Sequence, residues 1–168
     1  AMMGVLDCWH PDIVEFITAK QQPGRLTKFN VSVNCTDEFM DRVVKILDIE
    51  KRIIEEKQLD APNYKLIQQL EQEKKEFDKW DLRFPDTTFE KYKEEWNGDL
   101  KMWEAKGYPV KIYNTVSVMW LWNLIMESTY NRAEPGVLFL DRANHFLPLN
   151  YKEKVYATNP CGEQTLAP

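Results

Sequence analysis

The sequence predicts an α/β chain. Short apolar or alternating runs suited to strands recur at Met2 to Cys8, Lys28 to Cys35 and Val137 to Asp141. Helix-spaced apolar stretches separate them, which is the pattern of strands layered with helices. Composition agrees: 43% hydrophobic and 29% charged residues among 168 describe a globular chain long enough for one ordinary domain. Those totals do not distinguish a closed barrel from an open sheet.

Met2 to Cys8 reads as a buried strand with Gly4 and Asp7 as its irregularities. His10-Pro11-Asp12 starts a helix, because proline fits a first turn and an acid there faces free amides. Ile13, Val14, Phe16 and Ile17 supply its inner face up to about Lys20, and Gln21 to Thr27, with Pro23-Gly24, forms a turn. From Lys28 to Cys35, Phe29, Val31, Val33 and Cys35 alternate with Asn30, Ser32 and Asn34. This is a strand with unlike faces, whose polar side meets either solvent or a central site.

Thr36 is a candidate N-cap, with Asp37 and Glu38 in the first turn. Phe39, Met40, Val43, Val44, Leu47 and Ile54 then recur at helical spacing through Leu59. Pro62 interrupts, and Asn63 to Lys79 resumes with Leu66, Ile67, Leu70 and Phe77 on one side, so an antiparallel helical hairpin is expected. Its mixed charges, Lys51 with Glu55 among them, read as a solvated face stiffened by short-range pairs. Trp80, Leu82 and Phe84 alternate with Asp81 and Arg83 in a short edge or hairpin strand, and Pro85 to Thr88 turns it away. A helical turn or two fits Thr88 to Trp96, with breaks at Asn97-Gly98-Asp99 and Gly107-Tyr108-Pro109. Trp96 and Trp103 are read as packing anchors. Asn114 to Arg132 predicts a helix apolar on nearly all sides, stopped by Pro135-Gly136. Val137 to Asp141 predicts a buried strand with an acid at its carboxyl end, where parallel α/β folds carry sites. Asp141, Arg142 and Asn144 are therefore candidates, against the plainer reading of a surface pair or cap.

A net charge of -5 with no basic cluster excludes general attraction to nucleic-acid polymers, but not to a nucleotide, which needs only a local nest or a helix N-terminus. Cys8, Cys35 and Cys161 show neither a disulfide framework nor zinc spacing, so reduced thiols are expected. No leader pattern and no membrane-length apolar run is visible, which points to the cytoplasm and away from a membrane.

Most of the chemistry is concentrated at Asn159-Pro160-Cys161-Gly162-Glu163-Gln164. If extended, this stretch puts Asn159, Cys161 and Glu163 on one side, a sulfur between an amide and a carboxylate. The bare pattern admits a radical-forming sulfur, a thiolate nucleophile or an inert buried cysteine. A thiolate requires a positive neighbour, yet His10 and His145 are remote in sequence and a nearby glutamate opposes ionisation. His145, Cys161 and Glu163 have no zinc-like spacing, and no metal site is expected.

The run Ala157 to Gln164 resembles the active-site loop of the large catalytic subunit of ribonucleotide reductase, closest to the adenosylcobalamin-dependent kind. Supporting runs follow in family order: Met2 to Leu6 into His10-Pro11-Asp12-Ile13, Phe29 to Val33 into Thr36 to Met40, Trp80 to Asp86, Ala133 to Arg142, and Pro148-Leu149. The resemblance implies a central piece of a ten-stranded α/β barrel, with about 45–79 as an inserted antiparallel helical hairpin. It implies reduction of ribonucleoside di- or triphosphates to 2'-deoxyribonucleotides through a thiyl radical on Cys161, with Glu163 taking the 3'-hydroxyl proton and Asn159 holding substrate. It further implies substrate contacts from Asn144, Ser32 and Asn34, and structural roles for Cys8 and Cys35. Adenosylcobalamin is the implied cofactor, with a metal-containing partner subunit as the other radical source. A thioredoxin-like reductant and dNTP or ATP effectors belong to the full-length protein, and a homodimer is compatible with it. The reducing cysteines fall outside the chain, so the piece alone is expected to be inactive. A non-catalytic protein that binds partners through the helical arm 43–79 is the alternative.

Overall fold

The computed structural model describes residues 2–21 and 24–166. Pro23, within the turn expected over Gln21 to Thr27, lies outside the described residues. In chain order the elements are β1 (Met2–Asp7), α1 (Ile13–Thr18), β2 (Phe29–Asn34), α2 (Asp37–Lys57), α3 (Tyr64–Phe77), β3 (Trp80–Pro85), α4 (Tyr92–Glu95), α5 (Leu100–Ala105), β4 (Val110–Val116), α6 (Val118–Arg132), β5 (Gly136–Leu138), α7 (Leu140–Phe146), β6 (Ala157–Thr158) and β7 (Thr165–Leu166).

β1, β2 and β5 form a parallel sheet in the order β1-β2-β5. Met2 to Asp7 pair with Phe29 to Asn34, and Ser32 to Asn34 pair with Gly136 to Leu138. β2 is therefore central, and central parallel strands are covered on both faces. Val31, Ser32, Val33 and Asn34 are all buried and Asn30 is half-buried, so Ser32 and Asn34 on the polar side of this alternating strand do not face solvent. The two remaining sheets are antiparallel pairs, β3 with β4 and β6 with β7. Among the described residues the strands do not close into a barrel.

Thr36 caps α2, its hydroxyl accepting from the Phe39 amide at 3.3 Å. Phe39, Val43 and Ile46 bury one stripe of α2 in the main core with Trp80, Leu82, Leu121 and Ile125. Farther along, Ile49 and Ile53 meet Ile67 and Leu70 of α3 in a separate cluster. Lys45 with Glu73, Glu50 with Lys74 and Lys57 with Glu71 pair across these two helices at 2.9, 2.6 and 3.2 Å. Asn63 begins α3 by accepting from the Leu66 amide at 3.1 Å. Asn63→Ala is expected to cost about 1 kcal/mol, read as a lower urea midpoint.

The expected helix from Asn114 starts later. Residues up to Val116 belong to β4, paired with β3 from Trp80↔Val116 to Pro85↔Val110, and Ser117 caps α6 by accepting from the Trp120 amide at 3.0 Å. Strand pairing across about thirty residues claimed positions that local helical spacing had assigned to α6. The expected strand Val137 to Asp141 is also shorter: it ends at Leu138, and Asp141 stands in the first turn of α7. Trp96 and Trp103 meet edge to face, 5.7 Å apart at 87°, within a cluster that includes Phe84, Phe89, Tyr92 and Tyr108. No helix among the described residues is long and apolar enough to cross a membrane.

Candidate active site

The stretch expected to be extended is a hairpin turn. β6 enters it and β7 leaves it; the Asn159 amide donates to the Gln164 carbonyl at 3.0 Å and the Gly162 amide to the Asn159 carbonyl at 2.9 Å. Pro160 has no amide to continue a ladder, and Gly162 adopts φ 79°, the left-handed region that glycine enters without strain. Period-two geometry therefore gives way to a tighter arrangement. Asn159 reaches across the turn with both ends of its amide: Nδ2 donates to the Glu163 carboxylate, and Oδ1 accepts from the Gln164 amide at 3.0 Å. Cys161 stands exposed between them.

A cavity of about 320 Å³ opens beside Cys161, lined also by Met3, Asn30, Ser32, Glu134 and Gly136. Ser32 projects into it from β2, close to Gly136, where an added Cβ would come within 2.7 Å of the Ser32 hydroxyl. Asn30 donates from Nδ2 to the Pro160 carbonyl at 2.8 Å. Glu134 pairs with Lys20 and accepts from the Val31 amide at 3.3 Å. Asn30 carried a sequence signal as a polar member of the alternating strand, two positions from Ser32. Glu134 belonged to the Ala133 to Arg142 run but was given no role, since only the path of the chain after α6 brings it here.

Asn34 and Asn144 line a different cavity. Its volume is about 60 Å³, and Asp7, Asp99, Lys101, Asp141 and Lys154 share its wall. Asn34 donates to the Asp7 carboxylate and accepts from the Leu140 amide at 3.0 Å, so it starts α7. Asn144 donates to the Leu140 and Val155 carbonyls, both at 2.9 Å, and accepts from the Val155 amide at 2.7 Å. Its amide is engaged with backbone on both ends. Of the three residues expected to contact substrate, the structure brings Ser32 to the Cys161 cavity and places Asn34 and Asn144 at the other.

Burial pushes the Asp7 carboxyl above the ordinary range, reinforced by Asp141 and Asp99 and opposed by the Asn34 hydrogen bond and Lys154. Folding thus favours the protonated form, and stability falls as pH rises through the raised value. Asp7→Asn is expected to be more stable than the parent above the carboxylate range and equal to it below, read from urea midpoints on either side. Burial opposes ionisation of Asp141 too, but the Lys101 ammonium and the Asp37 amide hold its carboxyl below the usual range. Burial pushes the Cys35 thiol up to about 12 and Cys8 in the same direction, with Cys35 adding to the shift at Cys8. Neither is available as a thiolate at neutral pH. No cluster of three or more potential metal-binding side chains occurs among the described residues.

A family model described as "Ribonucleotide reductase, barrel domain" matches residues 1–168. The vitamin B12-dependent ribonucleoside-diphosphate reductase of Thermoplasma acidophilum is 29% identical over 169 residues, covering 100% of this chain and 15% of that protein. The enzyme of the same name from Mycobacterium tuberculosis is 28% identical, again covering 100% of this chain and 17% of the relative. The chain thus spans less than one-fifth of the length of the curated relatives it matches. A match over every residue, centred on a fold with the cysteine turn beside a cleft in a parallel sheet, places the chain in the ribonucleotide reductase family as part of its barrel domain.

Proposed function

We propose that, within the intact protein, this chain carries the reacting sulfur for reduction of ribonucleotides to 2'-deoxyribonucleotides. The observation that supports it best is the turn itself. Asn159 bonds Glu163 across it while Cys161 stands exposed at the mouth of a cavity large enough for a sugar. On this reading a Cys161 thiyl takes the hydrogen atom from C3' of the ribose, making an S–H bond and leaving a carbon radical. Glu163 accepts the 3'-hydroxyl proton, and the neighbouring 2'-hydroxyl leaves as water with a proton from a dithiol supplied by the rest of the protein. That dithiol gives two electrons as it closes to a disulfide, and the S–H hydrogen of Cys161 returns to C3'. Asn159 holds Glu163 in place and meets the substrate. Ser32 contributes a hydroxyl to the same cavity. Asn34 and Asn144 act through the backbone they hold.

The names of the relatives favour adenosylcobalamin as the cofactor of the whole enzyme. The cavity beside Cys161 is far smaller than a corrin, so most of the bed for that group would come from the rest of the protein. No step here passes through that group. A ribonucleoside diphosphate or triphosphate is the substrate, a thioredoxin-like protein the final reductant, and dNTP or ATP the effectors of the full-length protein, in a cytoplasmic setting compatible with a homodimer. The sheet described here would form part of a ten-stranded barrel, with α2 and α3 as an inserted hairpin.

Cys161→Ser in the intact protein should abolish deoxynucleotide formation and leave nucleotide binding in place. Product formation at the parent rate rejects the assignment. The isolated chain, given adenosylcobalamin and a dithiol, should form no product. A second reading, a binding arm built on α2 and α3, draws on Val44, Leu47 and Ile54, which stand exposed along α2; it predicts that Cys161→Ser changes nothing.

A further inference from the structure

Resting on the reading of Cys161 as the reacting sulfur, we propose that Asn30 is a positioning residue that fixes the direction of that sulfur toward the sugar. Asn30 lies on β2 two residues before Ser32, on the strand face that meets the cavity. Its Nδ2 donates at 2.8 Å to the carbonyl of Pro160, the carbonyl of the peptide whose nitrogen belongs to Cys161. Because that peptide unit is planar, holding its oxygen holds the Cys161 amide and, one bond on, the origin of the side chain. Among the described residues, this is the one hydrogen bond joining the turn 159–164 to the parallel sheet.

The other bonds of the turn are internal, from Asn159 to Glu163 and to Gln164, so they set its shape without setting where it points. The approach to the turn is held separately, by Asn144 on both backbone groups of Val155. Among the described residues no other hydrogen bond ties residues 156–161 to the parallel sheet, and Asn30 fixes the end nearest the sulfur. Hydrogen-atom transfer requires sulfur and sugar carbon in near-contact, and a misplacement of about 1 Å can cost about a hundredfold in rate. The effect belongs in turnover and not in nucleotide affinity, because Asn30 is engaged with the turn.

The test uses the intact protein carrying Asn30→Ala, Asn30→Asp or Asn30→Gln, assayed with cytidine diphosphate. Asparagine and aspartate have the same shape, but an ionised aspartate cannot donate to the Pro160 carbonyl; glutamine keeps the donor on a longer arm. The expected result is a fall in kcat of about a hundredfold for the alanine and aspartate variants, with KM unchanged and partial recovery with glutamine. Cytidine diphosphate should also protect Cys161 from iodoacetamide less well in the two impaired variants than in the parent. Parental kcat in Asn30→Ala or Asn30→Asp overturns the inference. So does a loss of kcat shared equally by all three variants together with a lower Tm, which marks a role in folding alone. If Cys161→Ser still reduces nucleotide, the functional reading fails; if it is inactive while the Asn30 variants are normal, only this inference does.

Discussion

Replacing Glu163 by glutamine in the intact protein is expected to lower deoxynucleotide formation by about 10²–10⁴-fold while nucleotide binding persists. The substitution preserves shape, and its Oε1 still accepts from Asn159 Nδ2, so the cross-turn bond that braces the hairpin survives. What it removes is a carboxylate able to take up a proton. On the proposed chemistry, the 3'-hydroxyl proton then has no positioned acceptor, and loss of the neighbouring hydroxyl slows. Initial rates of product formation and nucleotide binding by equilibrium dialysis check this together. A glutamine variant that turns over normally moves the base to another residue, with Glu134 in the same cavity the next to examine.

Trp80→Ala is expected to be the most damaging core substitution, costing about 3–5 kcal/mol. Trp80 is 1% exposed, and its ring meets Phe39 edge to face, 5.0 Å apart at 66°. Its Nε1 donates to the Cys8 carbonyl at 2.9 Å. Truncation therefore leaves a cavity and an unpaired buried carbonyl, and the second loss adds to the first. The same bond, with the Arg83 amide donating to the Trp9 carbonyl at 2.9 Å, ties the β3–β4 pair to the chain just past β1. Trp80→Phe should restore most of the packing but not the hydrogen bond, and so fall between alanine and parent. Urea unfolding of all three proteins side by side measures the series, and an alanine variant with the parental midpoint contradicts it.

Much of the fold was legible because it rests on local rules. The Thr36 cap, the joint at Leu59 to Pro62 and the alternation in β2 can each be read within a few residues. What escaped depends on partners remote in sequence. Nothing local shows that Asn114 to Val116 will pair with Trp80 to Leu82, and the apolar density of α6 disguised its true start at Ser117. At the site, sequence identified Cys161, Glu163 and Asn159 as neighbours but treated them as an extended strand. Gly162 at a positive φ instead folds them into a turn in which Asn159 and Glu163 bond directly. Asn34 and Asn144 looked alike as free amides in a list of letters. Only their hydrogen bonds reveal that one starts α7 and the other grips Val155.

The order β1-β2-β5 leaves the outward sides of β1 and β5 with backbone donors and acceptors that no strand among the described residues meets. A flank of that kind is a template for strand addition. Purified by itself, the chain should therefore be sticky, gaining mass with concentration despite its net charge of -5. Light scattering on a dilution series would reveal that association, and a mass that stays constant with concentration would contradict it.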